Sequence, residues 1–463
     1  MAMTQAAQSR PIHVVLASLI GTAIEWYDFY IYGIAAALVL GPQFFPDMSE
    51  TSAMLAAFAT FGVGFIARPI GAALFGHYGD RVGRKKALVI SLMLMAAGTF
   101  AVGLLPNYAS IGVAAPVGLV LLRFIQGLGI GGEWGGAALM TGEYAPPKRR
   151  GLYVSWTQFG SPAGLLLANG VFLGVRGMMD AEQFADWGWR IPFLLSLVLI
   201  IVGYVIRRTL RETPVFEKAQ KEGRVEQLPL AVVFRRYKRP LFLVAGAYIL
   251  NNTVFFIVTT YTIAYARSLS TLGNTTHIAL VAQIVGGLTL AVGVVVFSWL
   301  SDSIGRKRVI LPFYFGWMLW IWPMFWLIDL GTPAAFITAI AIGTFMTSAY
   351  GPLGAFMLEQ FDTRVRYTGA GVGQQLGSIL GGGIAPMVAV QLNAIGGITA
   401  VQGYVVAVAI ISAGCVMMLR ESAALTADQL DDHAVPLAPR VDVAVGSEEI
   451  ASVPLALQTE TAG

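Results

Sequence analysis

Glu25-Trp26-Tyr27-Asp28 lies in the middle of an apolar segment that runs from about Ile12 to Leu40. That segment is longer than the roughly 20 residues that a helix needs to cross a bilayer. Two carboxylates near the middle of a membrane helix are costly, so an ionisable residue at that depth predicts an ion or substrate pathway. The alternative is a core helix of a soluble protein, and the rest of the chain decides between the two.

The composition favours a membrane protein. Apolar residues make up 56% of the 463 residues, charged residues make up 12%, and the mean hydropathy is +0.69. Soluble proteins carry about 25% charged residues, whereas a surface that faces lipid needs none. A single cysteine and four scattered histidines provide neither a disulfide framework nor the spacing of metal ligands. We therefore expect no metal site and no bound cofactor.

Twelve apolar segments are long enough to form membrane helices, which predicts an all-α membrane protein. Their approximate limits are 12–40, 52–75, 87–106, 115–141, 152–174, 190–207, 239–266, 277–300, 308–328, 333–357, 368–390 and 399–420.

The basic residues predict the orientation. Arg68 and Arg123 lie within segments, Arg176, Arg190 and Arg267 fall on one side, and the other Lys and Arg residues fall on the second side. By the positive-inside rule the second side is cytoplasmic, and so are both termini of this multi-pass protein of the cell membrane. The net charge of +4 is then a signal of topology rather than of nucleic-acid binding. The expected partners are the lipid bilayer and a small-molecule substrate, and we expect a monomer to be the functional unit.

An internal repeat divides the chain. The sequence GDRVGRK occupies 79–85, and SDSIGRK occupies 301–307, at an offset of 222 residues. Two six-helix halves joined by a polar loop are the plan of transporters built from parallel repeats, whose site lies between the halves. We predict a first half over 1–207, a cytoplasmic central loop over 208–238, a second half over 239–420 and a disordered cytoplasmic tail over 421–463.

Four motifs resemble those of known transporters. GHYGDRVGRK at 76–85 resembles the cytoplasmic-loop signature of the major facilitator superfamily, and RFIQGLG at 123–129 resembles its fourth-helix signature. EWYDF at 25–29 and GGEWGGA at 131–137 are similar to motifs of the metabolite:proton symporter family, which carries proline/betaine, shikimate, 2-oxoglutarate and citrate. The resemblance covers about residues 12–420. It implies the twelve-helix fold of the superfamily, coupling to a proton gradient, and a role of Arg123 in that coupling.

The buried charges predict a proton switch. Glu25 and Asp28 share one helix face, and Arg123 in the antiparallel fourth segment reaches their depth. A carboxylate that loses its cation when helices move apart takes up a proton. Glu25, Asp28 and Arg123 are therefore the predicted proton-coupling residues. The alternative is a permanent salt bridge that fixes helix packing.

Arg68 and Glu133 form a second pair of opposite charges. The helix rise of about 1.5 Å per residue places them at the same depth in the membrane. Substrate binding is predicted for side chains that could line the cavity between the halves. They are Arg123, Tyr32, Asn251, Asn252 and Gln374. The polar members of this set could instead make ordinary hydrogen bonds between helices.

The repeated loop motif predicts a cytoplasmic clasp. Its aspartate can cap a neighbouring helix, and its arginines can pair with acids of the next loop. The predicted clasp residues are Asp80, Arg81, Arg84, Glu143, Asp302 and Arg306. Ser303 replaces the usual base in the second copy, which predicts a weaker clasp there. The alternative is that the basic residues only determine topology.

The favoured function is a proton-coupled symporter that imports a small polar metabolite by alternating access. An organic acid is the favoured substrate, and a proline- or betaine-type zwitterion is the alternative. A transporter-like sensor would need a cytoplasmic signalling domain, and a membrane enzyme would need a catalytic constellation. The sequence predicts neither, so we expect no enzyme.

Overall fold

The computed structural model describes residues 11–82, 84–131, 133–143, 145–209, 229–267, 275–361 and 365–423. These residues form helices, which we number α1 to α12 by membrane crossing. The first six are α1 (Pro11–Ala35, Ala36–Leu40 and Gly41–Phe44), α2 (Glu50–Val82), α3 (Arg84–Leu104), α4 (Ala114–Ile130 and Trp134–Glu143), α5 (Arg150–Gln158 and Gly160–Met178) and α6 (Ile191–Thr209).

The second six follow the same plan. They are α7 (Lys238–Phe256, Ile257–Tyr261 and Thr262–Arg267), α8 (Thr275–Ile304), α9 (Arg306–Asp329), α10 (Pro333–Met346, Thr347–Ala349 and Tyr350–Leu358), α11 (Arg366–Ser378, Ile379–Gly383 and the start of Ala385–Met418) and α12 (the rest of Ala385–Met418). The boundary between α11 and α12 is Gly397, whose φ of 65° breaks the helix.

Within the described residues, eight segments are long and apolar enough to cross a membrane, and one of them, Thr368–Met418, holds both α11 and α12. Three shorter apolar helices, Val89–Leu104, Ala114–Ile130 and Gly188–Val198, complete the twelve crossings. The predicted all-α class is confirmed.

The predicted loops after α2 and α8 proved to be shorter than expected. Helix α2 continues to Val82, and α3 already begins at Arg84. Helix α8 likewise continues to Ile304, and Gly305 joins it to Arg306 with a φ of 105°. Because such a φ favours glycine, the second copy of the motif forms two helix ends around Gly305 rather than an extended loop.

The structure describes only parts of the predicted central loop and of the predicted tail. In the central loop the structure gives α6 up to Thr209 and a short helix over Pro229–Arg236, and 210–228 lie outside the described residues. The predicted tail lies outside them beyond residue 423.

Helices α1 and α9 show the two environments of the bundle. The apolar window of Ser18–Phe44 in α1 is fully buried, whereas the window of α9 is 39% buried. Large apolar side chains of α9 are exposed, among them Leu319, Trp322 and Trp326. A surface of this kind suits lipid, so α1 lies at the centre of the protein and α9 at its periphery.

Two π-helical turns mark the internal symmetry. They occupy Ala36–Leu40 in α1 and Ile257–Tyr261 in α7, 221 residues apart. Such turns are rare and occur often at functional sites. The two helices approach closely here, since a Cβ on Gly33 would lie 3.3 Å from the hydroxyl oxygen of Thr260. The repeat is thus visible in backbone geometry as well as in sequence.

Helices α2 and α4 pack with their backbones almost in contact. A Cβ added to Gly127 would overlap the carbonyl of Gly64, and one added to Gly131 would overlap the carbonyl of Arg68. Small residues permit such close approach, and dispersion contacts then hold membrane helices together. The packing fixes Arg68 of α2 and Arg123 of α4 at short distance from one another.

Gly127→Ala tests this packing. Overpacking a tight contact costs about 1–3 kcal/mol, so the melting temperature of the purified protein should fall. Gly170→Ala in α5 is the matched control, because a Cβ there meets nothing within 4 Å. Equal melting temperatures for the two variants would show that α2 and α4 tolerate separation.

Candidate functional site

A chain of hydrogen bonds joins Asp28 to Arg123. The Thr99 hydroxyl donates to Oδ2 of Asp28 at 3.0 Å, and Nε2 of Gln126 donates to that hydroxyl at 2.7 Å. Nη1 of Arg123 donates to Oε1 of Gln126. Acid and arginine are therefore linked through two neutral side chains of α3 and α4, and we call these four residues the relay.

The relay is fully enclosed. Asp28, Thr99 and Arg123 are each 0% exposed, and Gln126 is 1% exposed. Within the described residues, Oδ1 of Asp28 and both Nε and Nη2 of Arg123 lack hydrogen-bond partners. Burying a charge without filling its hydrogen-bonding positions is costly. A proton or a ligand that binds at these atoms would lower this cost.

Aromatic rings surround the Arg123 guanidinium. Its carbon lies 3.9 Å from the ring centre of Tyr32 and 4.9 Å from that of Phe29. The Tyr32 hydroxyl is itself hydrogen-bonded to Thr60 at 2.5 Å. Helix α2 also approaches the guanidinium, since a Cβ on Gly64 would lie 3.0 Å from Nη2 of Arg123. The predicted substrate ligand Tyr32 thus supports Arg123 directly.

Arg68 has a different environment. Its guanidinium carbon lies 4.1 Å from the ring centre of Phe29 and 4.3 Å from that of Phe65. It also interacts electrostatically with Glu25. The predicted partner Glu133 is buried, 1% exposed, in the turn between the two parts of α4. The structure therefore places Arg68 against Phe29 of α1 and Phe65 of α2, and its pairing with Glu133 stays a prediction.

Five aromatic rings pack together where the halves meet, in a cluster that we call the aromatic chamber: Trp26, Tyr30, Phe255, Phe256 and Tyr350. The ring centre of Trp26 is 5.6 Å from that of Tyr30 in the first half. It is 5.8, 6.4 and 6.3 Å from those of Phe255, Phe256 and Tyr350 in the second half. The EWYDF motif therefore contributes to both features, with Asp28 in the relay and Trp26 in the chamber.

The other predicted binding residues lie in the second half. Nε2 of Gln374 donates to the Tyr248 hydroxyl at 3.2 Å, and its Oε1 is buried without a hydrogen-bond partner among the described residues. Asn251 and Asn252 are 3% and 2% exposed, and Asn252 packs beside Gly381 of α11.

The second-half clasp is present in full. Oδ1 of Asp302 accepts the backbone N–H of Gly151 at 2.8 Å, and Oδ2 accepts that of Leu152 at 2.9 Å. Arg306 bonds to Asp302 at 2.8 Å and to Glu359 at 3.0 Å. Asp302 thus caps α5 of the first half from the end of α8 in the second half. The helix dipole favours a carboxylate at this position.

A residue just past α12 extends this clasp. The Glu421 carboxylate accepts the backbone N–H groups of Arg306 and Lys307, each at 2.9 Å, at the start of α9. Burial raises the pKa of Glu421, but its backbone hydrogen bonds outweigh this effect and lower the pKa below its usual range. Its contribution to stability is therefore present at neutral pH and is lost as the pH falls through that lowered value.

The structure does not describe the side chains of the predicted first-half clasp. The backbone of Asp80, Arg81 and Arg84 is helical, but these side chains and that of Glu143 lie outside the described part of the structure. Their roles stay predictions, as does the expected difference in strength between the two copies.

The model of the family described as "Major Facilitator Superfamily" matches residues 18–386. The chain belongs to the major facilitator superfamily. Its fold and its relatives are those of transporters, so it is not an enzyme.

Two relatives and one solved structure define the neighbourhood of this transporter. It is 42% identical over 405 residues to the inner membrane metabolite transport protein YhjE of Escherichia coli, covering 86% of this chain and 91% of that protein. It is 36% identical over 428 residues to the shikimate transporter of Escherichia coli, covering 89% and 95%. The proton:xylose symporter XylE superposes with a TM-score of 0.71 at 18% identity, covering 91% and 98%. The chain is therefore a metabolite transporter with the superfamily fold.

Two residues of the relay, Thr99 and Gln126, were absent from the sequence-based prediction of the site. Thr99 and Gln126 complete the relay, and Gln126 could have been found because it lies three residues after Arg123 on the same helix face. Thr99 gives no such signal. Gln158 accepts a hydrogen bond from Trp134 Nε1 at 2.9 Å and donates to the carbonyl of Tyr350 at 3.0 Å, which joins α5 to α10 across the halves.

Asp302→Asn tests the clasp. An asparagine oxygen replaces only part of the carboxylate, and a helix-capping contact contributes about 1 kcal/mol, or a severalfold change in a two-state population. In a Cys415→Ala/Ser155→Cys background, maleimide labelling of buried Ser155→Cys on α5 should rise severalfold. Ser303→Ala is the control, because Ser303 is exposed and bonds only within α8. Equal labelling in both variants would assign Asp302 a role in folding alone.

Proposed function

We propose that this transporter is a proton-coupled symporter that imports a small organic acid. The observation that carries the proposal is the relay. Asp28 lies at the centre of the protein and is connected to Arg123 through Thr99 and Gln126 rather than by direct contact. Such a connection can be rearranged when a proton arrives, whereas a bidentate salt bridge would hold both groups in place.

Charge balance would link the proton to the anion. With Asp28 ionised, its charge offsets that of Arg123 through the relay. Protonation of Asp28 removes this compensation and leaves Arg68 and Arg123, which both lie over Phe29, with an excess of positive charge. Binding of an anion then becomes more favourable, and by thermodynamic linkage the anion favours the proton equally.

Alternating access would use the contacts between the halves. Asp302 holds α5 at one face, and Gln158 holds α10 closer to the centre. Helices α1 and α7 meet toward the other face at Gly33 and Thr260. We propose that these two sets of contacts open in turn around the chamber, with the clasp face cytoplasmic and both termini on that side. The proposed location is the cell membrane, and the proposed functional unit is a monomer.

A zwitterion of the proline or betaine type is the second candidate. The aromatic chamber favours it, because the faces of aromatic rings attract quaternary ammonium groups. Trp26, Tyr30, Phe255 and Tyr350 could receive such a group while an arginine binds the carboxylate. Both candidates carry a carboxylate and differ in the charge at the other end of the molecule.

Asp28→Asn tests proton coupling. Proteoliposomes with an acidic exterior and a neutral interior should accumulate a substrate chosen from labelled shikimate, 2-oxoglutarate, citrate and glycine betaine. The variant should lose accumulation against a gradient and keep exchange of substrate across the membrane, because asparagine binds no proton in this range. The preferred substrate of the wild type separates the acid from the zwitterion.

Asp186→Asn is the matched control for this change. Asp186 is an exposed acid in the segment between α5 and α6, far from the relay in sequence. It should accumulate substrate as the wild type does. Normal pH-driven accumulation in Asp28→Asn would remove Asp28 from the coupling mechanism.

A further inference from the structure

Arg68 is a buried arginine that packs against aromatic rings. The residue is 5% exposed, and its Nε has no hydrogen-bond partner among the described residues. Phe29 and Phe65 lie against its guanidinium, but a ring face does not replace an oxygen acceptor for the Nε–H donor. The arrangement suits a planar carboxylate, which can accept two parallel hydrogen bonds from one guanidinium.

The position of Arg68 is at the boundary between the halves. Phe65, which packs against the guanidinium, has its ring centre 5.5 Å from that of Phe256 on α7. A Cβ on Gly383 of α11 would lie 2.9 Å from Cβ of Phe65. Both α7 and α11 belong to the second half. A ligand at Arg68 would therefore be in reach of both halves, as a substrate must be when it is passed between two faces.

Arg123 is already engaged by the relay. Its Nη1 donates a hydrogen bond to Gln126, and its neighbouring rings are Phe29, Tyr32 and Phe61. It is 0% exposed. A substrate carboxylate at Arg123 would compete with the Gln126 hydrogen bond that links it to Asp28. This engagement suits Arg123 to proton coupling.

Polar groups of the second half lie beside the aromatic chamber. The ring centre of Tyr350 is 6.3 Å from that of Trp26 and 6.4 Å from that of Tyr248. Gln374 bonds to the Tyr248 hydroxyl through its amide nitrogen, and its carbonyl oxygen lacks a partner among the described residues. Hydroxyl and amide groups at this place can bind hydroxyl groups of a substrate or the second oxygen of its carboxylate.

We propose that Arg68 binds the carboxylate of the substrate at the boundary of the two halves, while the aromatic chamber receives the remainder of the molecule. This inference rests on the proposed function insofar as the substrate carries a carboxylate, and it applies to organic acid and zwitterion alike. Arg123, the substrate ligand predicted from the sequence, is left to proton coupling alone. Arg68, predicted only as part of a second charge pair, becomes the anion-binding residue.

The test measures equilibrium binding to the purified protein in lipid nanodiscs without a pH gradient. The probes are shikimate, 2-oxoglutarate, citrate and glycine betaine, with shikimate methyl ester and choline as analogues that lack the carboxylate. The wild type should bind at least one carboxylate and bind its carboxylate-free analogue more weakly. Tighter binding of shikimate would identify a hydroxylated acid as the substrate, and tighter binding of glycine betaine would identify a zwitterion.

Arg68→Gln should weaken binding of that carboxylate by about tenfold to a hundredfold, as expected for lost hydrogen bonds to a charged group. Arg68→Lys keeps the positive charge but loses the paired N–H donors of the guanidinium, so it should bind the carboxylate with intermediate affinity. This variant replaces Arg68→Gln in the test if Arg68→Gln does not fold. Both variants should bind the carboxylate-free analogue as the wild type does, which a general loss of structure would not allow. Arg123→Gln should retain carboxylate binding and lose pH-driven accumulation.

Two results would overturn the proposal. One is wild-type affinity for the carboxylate in folded Arg68→Gln or Arg68→Lys, and the other is a wild-type protein that binds none of the four carboxylates. A failure of proton coupling would be visible separately, as pH-independent uptake by the wild type in proteoliposomes with carboxylate binding intact.

Discussion

The burial of ionised groups in the middle of a membrane protein is the constraint on which this structure depends. Asp28 and Arg123 are both 0% exposed and are joined through Thr99 and Gln126. Removing such charges from water costs several kcal/mol each unless other groups compensate them. The close backbone packing of α2 on α4 and the rings around each arginine provide part of this compensation. The remaining compensation of the buried charges changes when a proton or a ligand binds. A transporter can use this change in free energy to couple the two binding events.

Specific polar and aromatic contacts join the two halves within the described part of the chain, and a transporter must be able to open them. Asp302 caps α5, Gln158 bonds to the carbonyl of Tyr350, and Trp26 packs on rings of α7 and α10. Each contact joins one half to the other, so each is lost when the halves separate. Glu421 strengthens the clasp from beyond α12 by binding the start of α9. The end of the second half is thereby tied to the clasp that closes it.

The sequence predicted the class, the repeat and the acids, because composition and a 222-residue offset are properties of the chain alone. It also predicted that Arg123 reaches Asp28, since helix rise converts residue number into depth. Depth does not specify rotation about the helix axis, so the sequence could not show that the Arg68 guanidinium packs on the rings of Phe29 and Phe65. The pairing of Arg68 with Glu133 stays a prediction. Thr99 could not be found at all, because a threonine in an apolar helix most often bonds to its own backbone.

The central claim is that Asp28 changes its protonation state during transport. Infrared difference spectroscopy of the purified protein, with and without a bound substrate, reports the C=O stretching band of a protonated carboxylic acid. The account predicts such a band in the wild type on substrate binding, with the shift in heavy water that an exchangeable proton produces, and its loss in Asp28→Asn. The same band at full intensity in Asp28→Asn would contradict the account, because the proton would then be carried by another group.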